Sequence, residues 1–90
     1  MSTTYETKEA ALGVGVLCLG HIGSQKRREI VQGLKPEPVP SELDLPPYRT
    51  SEAYRTQNIN GEEAIIIVGK TRGRYELWVK HPFTDKPINH

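Results

Sequence analysis

One cysteine, Cys18, stands in a chain of ninety residues. No disulfide can form within a single copy, and that leans towards a reducing compartment. Net charge is nearly as scarce: twelve Lys and Arg against eleven Asp and Glu leave a formal +1. A protein devoted to neutralising nucleic acid carries a larger basic excess, and a nucleic-acid mimic a large acidic one. The overall balance fits neither and leaves only local patches to weigh. Long hydrophobic runs are missing too. The longest uncharged stretch, Ala10 to Gln25 with His21 taken as neutral, is sixteen residues long and is broken by Gly13, Gly15, Gly20 and Gly23. A membrane span needs about 20 apolar residues. The opening MSTTYETKEA has no basic start of the secretory kind. A soluble, cytoplasmic protein is the expectation, with no membrane partner. There is no internal repeat. This length sets one domain, which buries only about two thirds of its unfolded surface and is marginal alone. Dimerisation is a common remedy.

Several familiar motifs are incomplete. Gly69-Lys70-Thr71 has the tail of a phosphate-binding loop, but the Gly required five residues earlier is Ala64. An apolar strand runs straight into Gly69, and a second strand follows where that motif needs a helix. Pro36, Pro38, Pro40, Pro46 and Pro47 crowd into twelve residues, yet no two stand three apart, so P-x-x-P is lacking. Pro46-Pro47-Tyr48 misses the Pro-Pro-x-Tyr spacing as well. A helix-turn-helix with Gly20 at its turn would place Val16 and Lys26 in the helix–helix contact, and with Gly23, Leu19 and Glu29. Either register buries a charge, which argues against that motif. Cys18 and His21 stand three apart, but a structural zinc takes four ligands and no Cys-x-x-Cys or His-x-x-x-His pair supplies them. The remaining histidines, His81 and His90, lie near the end of the chain. Cys18 between Leu17 and Leu19 reads as a buried, inert thiol rather than an activated nucleophile. No catalytic triad or paired carboxylates stand out. The chain is expected to be no enzyme and to carry no cofactor and no metal. No motif is specific enough to name a family.

What is present is a sheet. Residues 51–80 read as three antiparallel strands. Ala64-Ile65-Ile66-Ile67-Val68 is apolar on both faces, which places it centrally with cover above and below. Asn60-Gly61 precedes it and favours a two-residue type I′ turn, because both residues tolerate positive φ. Tyr54–Asn58 forms the strand before that turn. A second turn, bounded by Gly69 and Gly73, leads to Arg74–Lys80. In that last strand Tyr75, Leu77 and Val79 share one face, predicted to meet the helices, while Arg74, Glu76, Trp78 and Lys80 share the other.

Ahead of the sheet, residues 1–6 read as a polar tail and 7–34 as helical. Lys8-Glu9-Ala10-Ala11-Leu12 is a strong helical lead-in. Ala11, Val14, Cys18 and Ile22, with Leu12, Val16 and Leu19, then wrap most of the helix in apolar residues. Gly13 and Gly15 cost that helix about 1 kcal/mol each relative to Ala. A strand, with Val14, Val16, Cys18 and Ile22 alternating, is the competing reading of the same residues. Gly20 to Gly23 forms a turn and Ser24 the N-cap of a short helix to Leu34. Ile30, Val31 and Leu34 make its apolar face, and Pro36 ends it. Residues 35–50 are an extended Pro-rich connector tacked down by Leu43 and Leu45, and 81–90 an irregular tail. The predicted fold is α+β: two short N-terminal helices on a three-stranded antiparallel meander.

Two functional readings follow. In the first, the chain is a small regulatory binding protein that docks on another protein or on its own copy. Trp78, Arg74 and Tyr54 supply the docking residues, since Trp and Arg are enriched at interfaces. The Gly-laced segment Val14–Ile22 supplies self-association. In the second, two basic clusters bind nucleic acid: Lys26, Arg27 and Arg28 on the second helix, and Lys70, Arg72 and Arg74 at the second hairpin turn. That reading becomes serious if both clusters share a face.

Overall fold

A computed structural model describes residues 4–40 and 51–83. The elements run α1 (Lys8–Cys18), α2 (Ser24–Gly33), β1 (Ser51–Gln57), β2 (Glu63–Thr71) and β3 (Arg74–Lys80). The strands form one antiparallel sheet in the order β1-β2-β3. Two N-terminal helices and a three-stranded meander make the α+β fold that the sequence predicts.

Residues 10–18 are helix, and α1 is built as a wedge. Thr7 caps it: its Oγ1 accepts a hydrogen bond from the Ala10 N–H at 3.1 Å, satisfying one of the unpaired donors of the first turn. Ala11, Leu12, Gly15, Val16 and Leu19 are buried against the sheet. Gly15 sets how close the helix comes. A β-carbon there would lie 3.0 Å from Ile66 Cγ2 and 3.2 Å from Leu77 Cδ1. Gly13, one residue pair away, faces open space. Burial of one flank thus outweighs the intrinsic cost of two glycines, as tertiary packing does for most helices.

The chain leaves α1 through Gly20 at φ +101. Gly23, rather than Ser24, takes the N-cap position of α2, and no side chain caps it; Ser24 is the first helical residue. Arg27 reaches back instead and donates to the carbonyls of His21 and Ile22. That tie accompanies a helix that starts one position earlier than the Ser24 cap would set. Ile30, Val31 and Leu34 pack on the core as expected, yet no residue of α2 is buried.

β2 explains its own composition. Ala64, Ile66 and Val68 join Leu12, Val16, Leu19 and Tyr54 beneath the helices, with Tyr75, Leu77 and Val79 packed beside them. Ile65 and Ile67 point the other way, into a second cluster with Ala53, Phe83, Val39 and Trp78. Both faces are covered, as an all-apolar strand requires.

The two hairpins exchange the roles that the sequence suggests. Gln57 pairs with Glu63, so five residues, Asn58 to Glu62, form the first connection. Asn60 does not adopt positive φ; Gly61 alone does, at +81. Asn58 overrides the two-residue turn. Its buried side chain accepts from the N–H groups of Asn60 and Glu62 at 2.9 and 3.0 Å and donates to Glu62 Oε1 at 3.0 Å. Such local bonds from an Asn side chain compete with the regular ladder. The tight two-residue turn is the second one. β2 continues through Gly69 to Thr71, Thr71 pairs with Arg74, and Arg72 and Gly73 hold φ of +51 and +77. Two successive positive φ values are the type I′ signature. β1 also starts earlier than its most strand-like residues, at Ser51.

Among the described residues, each outer strand carries one bridge. Tyr5, assigned to a polar tail by composition, pairs with Tyr75 on the edge of β3 at 2.8 and 2.9 Å. Glu37, between Pro36 and Pro38, pairs with Ala53 on the edge of β1 at 2.9 Å in both directions. The connector therefore begins as a strap along β1. Leu43, Leu45, Pro46 and Pro47 lie outside the described residues, as does His90.

Candidate functional site

The three residues proposed from sequence for protein docking fall in three different settings. Trp78 pairs with Ile67 on the sheet face away from the helices, half-buried against the second cluster. Tyr54 pairs with Ile66 and is 3% exposed under the helices, because even positions of β1 face the first cluster. Arg74 is engaged by the N-terminal segment. Its guanidinium donates to Thr4 Oγ1 at 2.6 Å and to the Thr4 carbonyl at 3.3 Å, with Glu6 4.0 Å away. It clasps the strand that Tyr5 adds.

Tyr54 belongs to a small polar group. Lys8 Nζ lies 2.9 Å from Glu52 Oε1. That hydrogen bond raises the Lys8 pKa above its usual 10.5, against the lowering effect of burial. Burial, seconded by the Glu52 charge, pushes the Tyr54 hydroxyl above its usual 10.0. The group pins the start of α1 to β1.

The two basic clusters lie at opposite ends of the sheet. Lys26 lines a depression with His21, Ile30, Thr56, Gln57 and Asn58, at the end of β1. Lys70, Arg72 and Arg74 surround the β2–β3 turn, beyond Thr71. β2 separates those ends, and its nine residues span roughly 26 Å at the usual strand rise. Within the clusters, Lys70 Nζ stands 5.8 Å from the centroid of the Tyr75 ring, near enough for a cation–π contact. Arg27 holds the turn carbonyls, and Arg28 shares a groove with Glu9, Gly13 and Val31 between the helices. Lys26 and Arg27 in the first turn of α2, with no acid there, oppose the helix dipole.

The structure gathers a different set of residues. Among the described residues, three large apolar side chains stand exposed: Leu17 at 43%, Ile22 at 80% and Ile59 at 64%. All three lie in or beside the α1–α2 turn. Leu17 is in the last turn of α1, and its carbonyl accepts from the Gly20 N–H. Ile22 follows two residues later. Ile59 arrives from the first hairpin: its N–H donates to the Leu19 carbonyl at 2.8 Å, and a β-carbon at Gly20 would lie 2.6 Å from its Cγ2. Only glycine admits that contact. His21 fastens the same corner by its Nε2, 2.9 Å from the Gln57 carbonyl oxygen. Lys26 and Arg27 edge the patch, Arg27 through its bond to Ile22.

Leu17 and Ile22 belong to the segment Val14–Ile22 that the sequence marks for self-association. Its Gly15 flank is filled by the chain's own sheet, so the outward residues alone are left. Ile59 escapes a reading by strand pattern, although an isoleucine between Asn58 and Asn60-Gly61, in the midst of turn formers, is itself a signal. Cys18 is exposed rather than buried. The buried stripe of α1 runs through Gly15, Val16 and Leu19 and leaves Leu17 and Cys18 on the solvent side. Among the described residues no group of three or more His, Cys, Asp or Glu side chains is placed to hold a metal ion, and no helix is long and apolar enough to cross a membrane. No protein-family model matches the chain, and no curated protein or solved structure matches it.

Proposed function

We propose that this chain is a small, non-enzymatic, cytoplasmic regulatory protein that docks on another protein through the α1–α2 turn. Leu17, Ile22 and Ile59 are the hydrophobic anchor, and Lys26 and Arg27 the charged rim. The partner that fits is a protein surface with an apolar hollow ringed by carboxylates, because a basic rim steers and orients such a surface. The action is steric: the turn covers part of the partner. One observation carries the reading. Among the described residues, the large exposed apolar side chains all lie in or beside one turn, whereas singly scattered ones would need no explanation. The corner is also stiff. Ile59 is seated on Gly20, His21 is bonded to Gln57 and Arg27 closes the turn, so little order remains to be imposed on binding.

The test is capture from cell extract with and without nuclease, comparing the natural chain with Ile22→Ser and with Ile59→Ser. A nuclease-resistant protein that both variants fail to retain, while their thermal melts stay close to the parent, supports the proposal. Capture that both substitutions leave intact sinks it. Bound material that nuclease removes, and that washes off steeply as salt rises, favours the basic residues as a phosphate-binding surface instead.

A further inference from the structure

We propose that Asn60-Gly61 is a self-modifying site: with time the Asn60 side chain closes on the Gly61 nitrogen and converts to aspartate or isoaspartate, and the isoaspartate frees Ile59 from its seat. No enzyme is needed, and water is the co-reactant.

This pair is the sole Asn-Gly in the chain, and the fold leaves it open to the reaction. Asn60 and Gly61 are both exposed. Asn60 is held by its backbone N–H, which donates to Asn58 Oδ1 at 2.9 Å, and among the described residues no partner takes up its side-chain amide. Nothing lies within 4 Å of the place that a β-carbon would take on Gly61, so that flank of its nitrogen is unhindered. The Gly61 N–H donates to the Asn58 carbonyl at 3.0 Å. Breaking one such bond slows the attack by no more than about tenfold. Asn58 is the contrast. It is buried, and its amide is engaged at both ends, by the N–H groups of Asn60 and Glu62 and by Glu62 Oε1. The next residue is the β-branched Ile59, whose own N–H is taken by the Leu19 carbonyl. One turn thus holds one asparagine inert and presents the other.

The step balances. The Gly61 nitrogen attacks the Asn60 amide carbon and gives up its proton. A C–N bond forms, the bond to the amide nitrogen breaks, and that nitrogen takes the proton and leaves as ammonia. Water then opens the resulting succinimide at either carbonyl. One opening gives aspartate; the other gives isoaspartate, in which the chain runs through the former side-chain carbon. Nothing is oxidised or reduced. Either product adds a carboxylate beside Glu62 and Glu63 and takes the formal charge of the chain from +1 to zero. Isoaspartate also lengthens the backbone by one carbon between two groups that Asn58 Oδ1 holds at once, the N–H groups of Asn60 and Glu62. Those bonds cannot both persist. Ile59 lies inside the same turn, with its contact to Gly20 and its bond to Leu19, and is released. On the docking reading above, that removes one of the three anchors. The conversion itself is read with no partner present, so it stands or falls apart from that reading.

The test keeps the full chain at neutral pH and physiological temperature, beside a peptide of residues 57–63. Both are mapped over time by digestion and mass spectrometry, and methylation by a protein-isoaspartate methyltransferase counts the isoaspartate. Asn60 is expected to convert with a half-time within about tenfold of the peptide's, and Asn58 at least about a hundredfold more slowly. Asn60→Gln should remove the isoaspartate, because the longer side chain must close a larger ring. The isoaspartyl chain, separated on an ion exchanger by its changed charge, should exchange the Ile59 amide about tenfold faster than the parent. Asn60 left intact after the peptide has fully converted overturns the site, and so does equal conversion at Asn58. An isoaspartyl chain whose Ile59 amide exchanges as slowly as the parent's overturns the release of Ile59.

Discussion

The two helices are neighbours of nearly equal length, eleven and ten residues, and they are built to opposite specifications. α1 is capped by Thr7, pinned by Lys8 and sunk into the sheet. α2 has no side-chain cap, no buried residue and two cations, Lys26 and Arg27, where the helix dipole is positive. A helix selected for stability alone would carry acids in that turn. The contrast divides the labour: α1 holds the fold together, and α2 keeps an unfavourable charge arrangement that suits a rim around exposed Ile22.

Substitutions can break that contrast. The largest effect belongs to Gly15. Gly15→Val forces methyl groups into Ile66 and Leu77 and should lower stability by about 2–3 kcal/mol in urea unfolding. Gly13→Ala, on the open side of the same helix, should raise it by about 1 kcal/mol. Equal effects at the two sites would show that α1 is not a wedge. A smaller loss should come from alkali. Lys8 and Tyr54 both hold their protons more tightly when folded, so above a pH of about 10 the folded chain binds more protons than the unfolded one and stability falls. The fall begins near the unfolded values and continues as pH rises through the folded ones. Tyr54→Phe should make it shallower, read as the slope of unfolding free energy against pH. The smallest effect belongs to α2. Gly23→Asp supplies the missing cap and an acid at the dipole end, and should add a few tenths of a kcal/mol. The same change should weaken capture of an acidic-rimmed partner. A gain in both would detach the charge of α2 from docking.

The core of the fold was legible because its signals are local. Ala64–Val68 is apolar on both faces, and only a covered central strand tolerates that. Tyr75, Leu77 and Val79 alternate, and they face the helices as predicted. The turns were harder. Asn60-Gly61 has strong turn chemistry, but Asn58, two residues before, had a better use for its side chain, and Arg72 entered the left-handed region that its residue type seldom visits. Composition also hid the edge bridges: nothing in Thr4-Tyr5 or Pro36-Glu37-Pro38 announces its distant partner, Tyr75 or Ala53. The candidate corner was half visible. Leu17 and Ile22 lay in a segment already marked, while Ile59 joined them only through a tertiary contact with Gly20. Tyr54 and Arg74 were chosen by residue type, which says nothing about whether a side chain is already occupied.

Tyr5 is tied to Tyr75, and Gly15 rests on Ile66 and Leu77. The first third of the polypeptide therefore has no lasting surface to settle on while it is being made. During synthesis the buried flank of α1 waits for the β2–β3 hairpin to emerge, and closure joins segments 70 residues apart. Such wiring slows assembly. It also turns completion of the last strand into the event that commits the whole molecule.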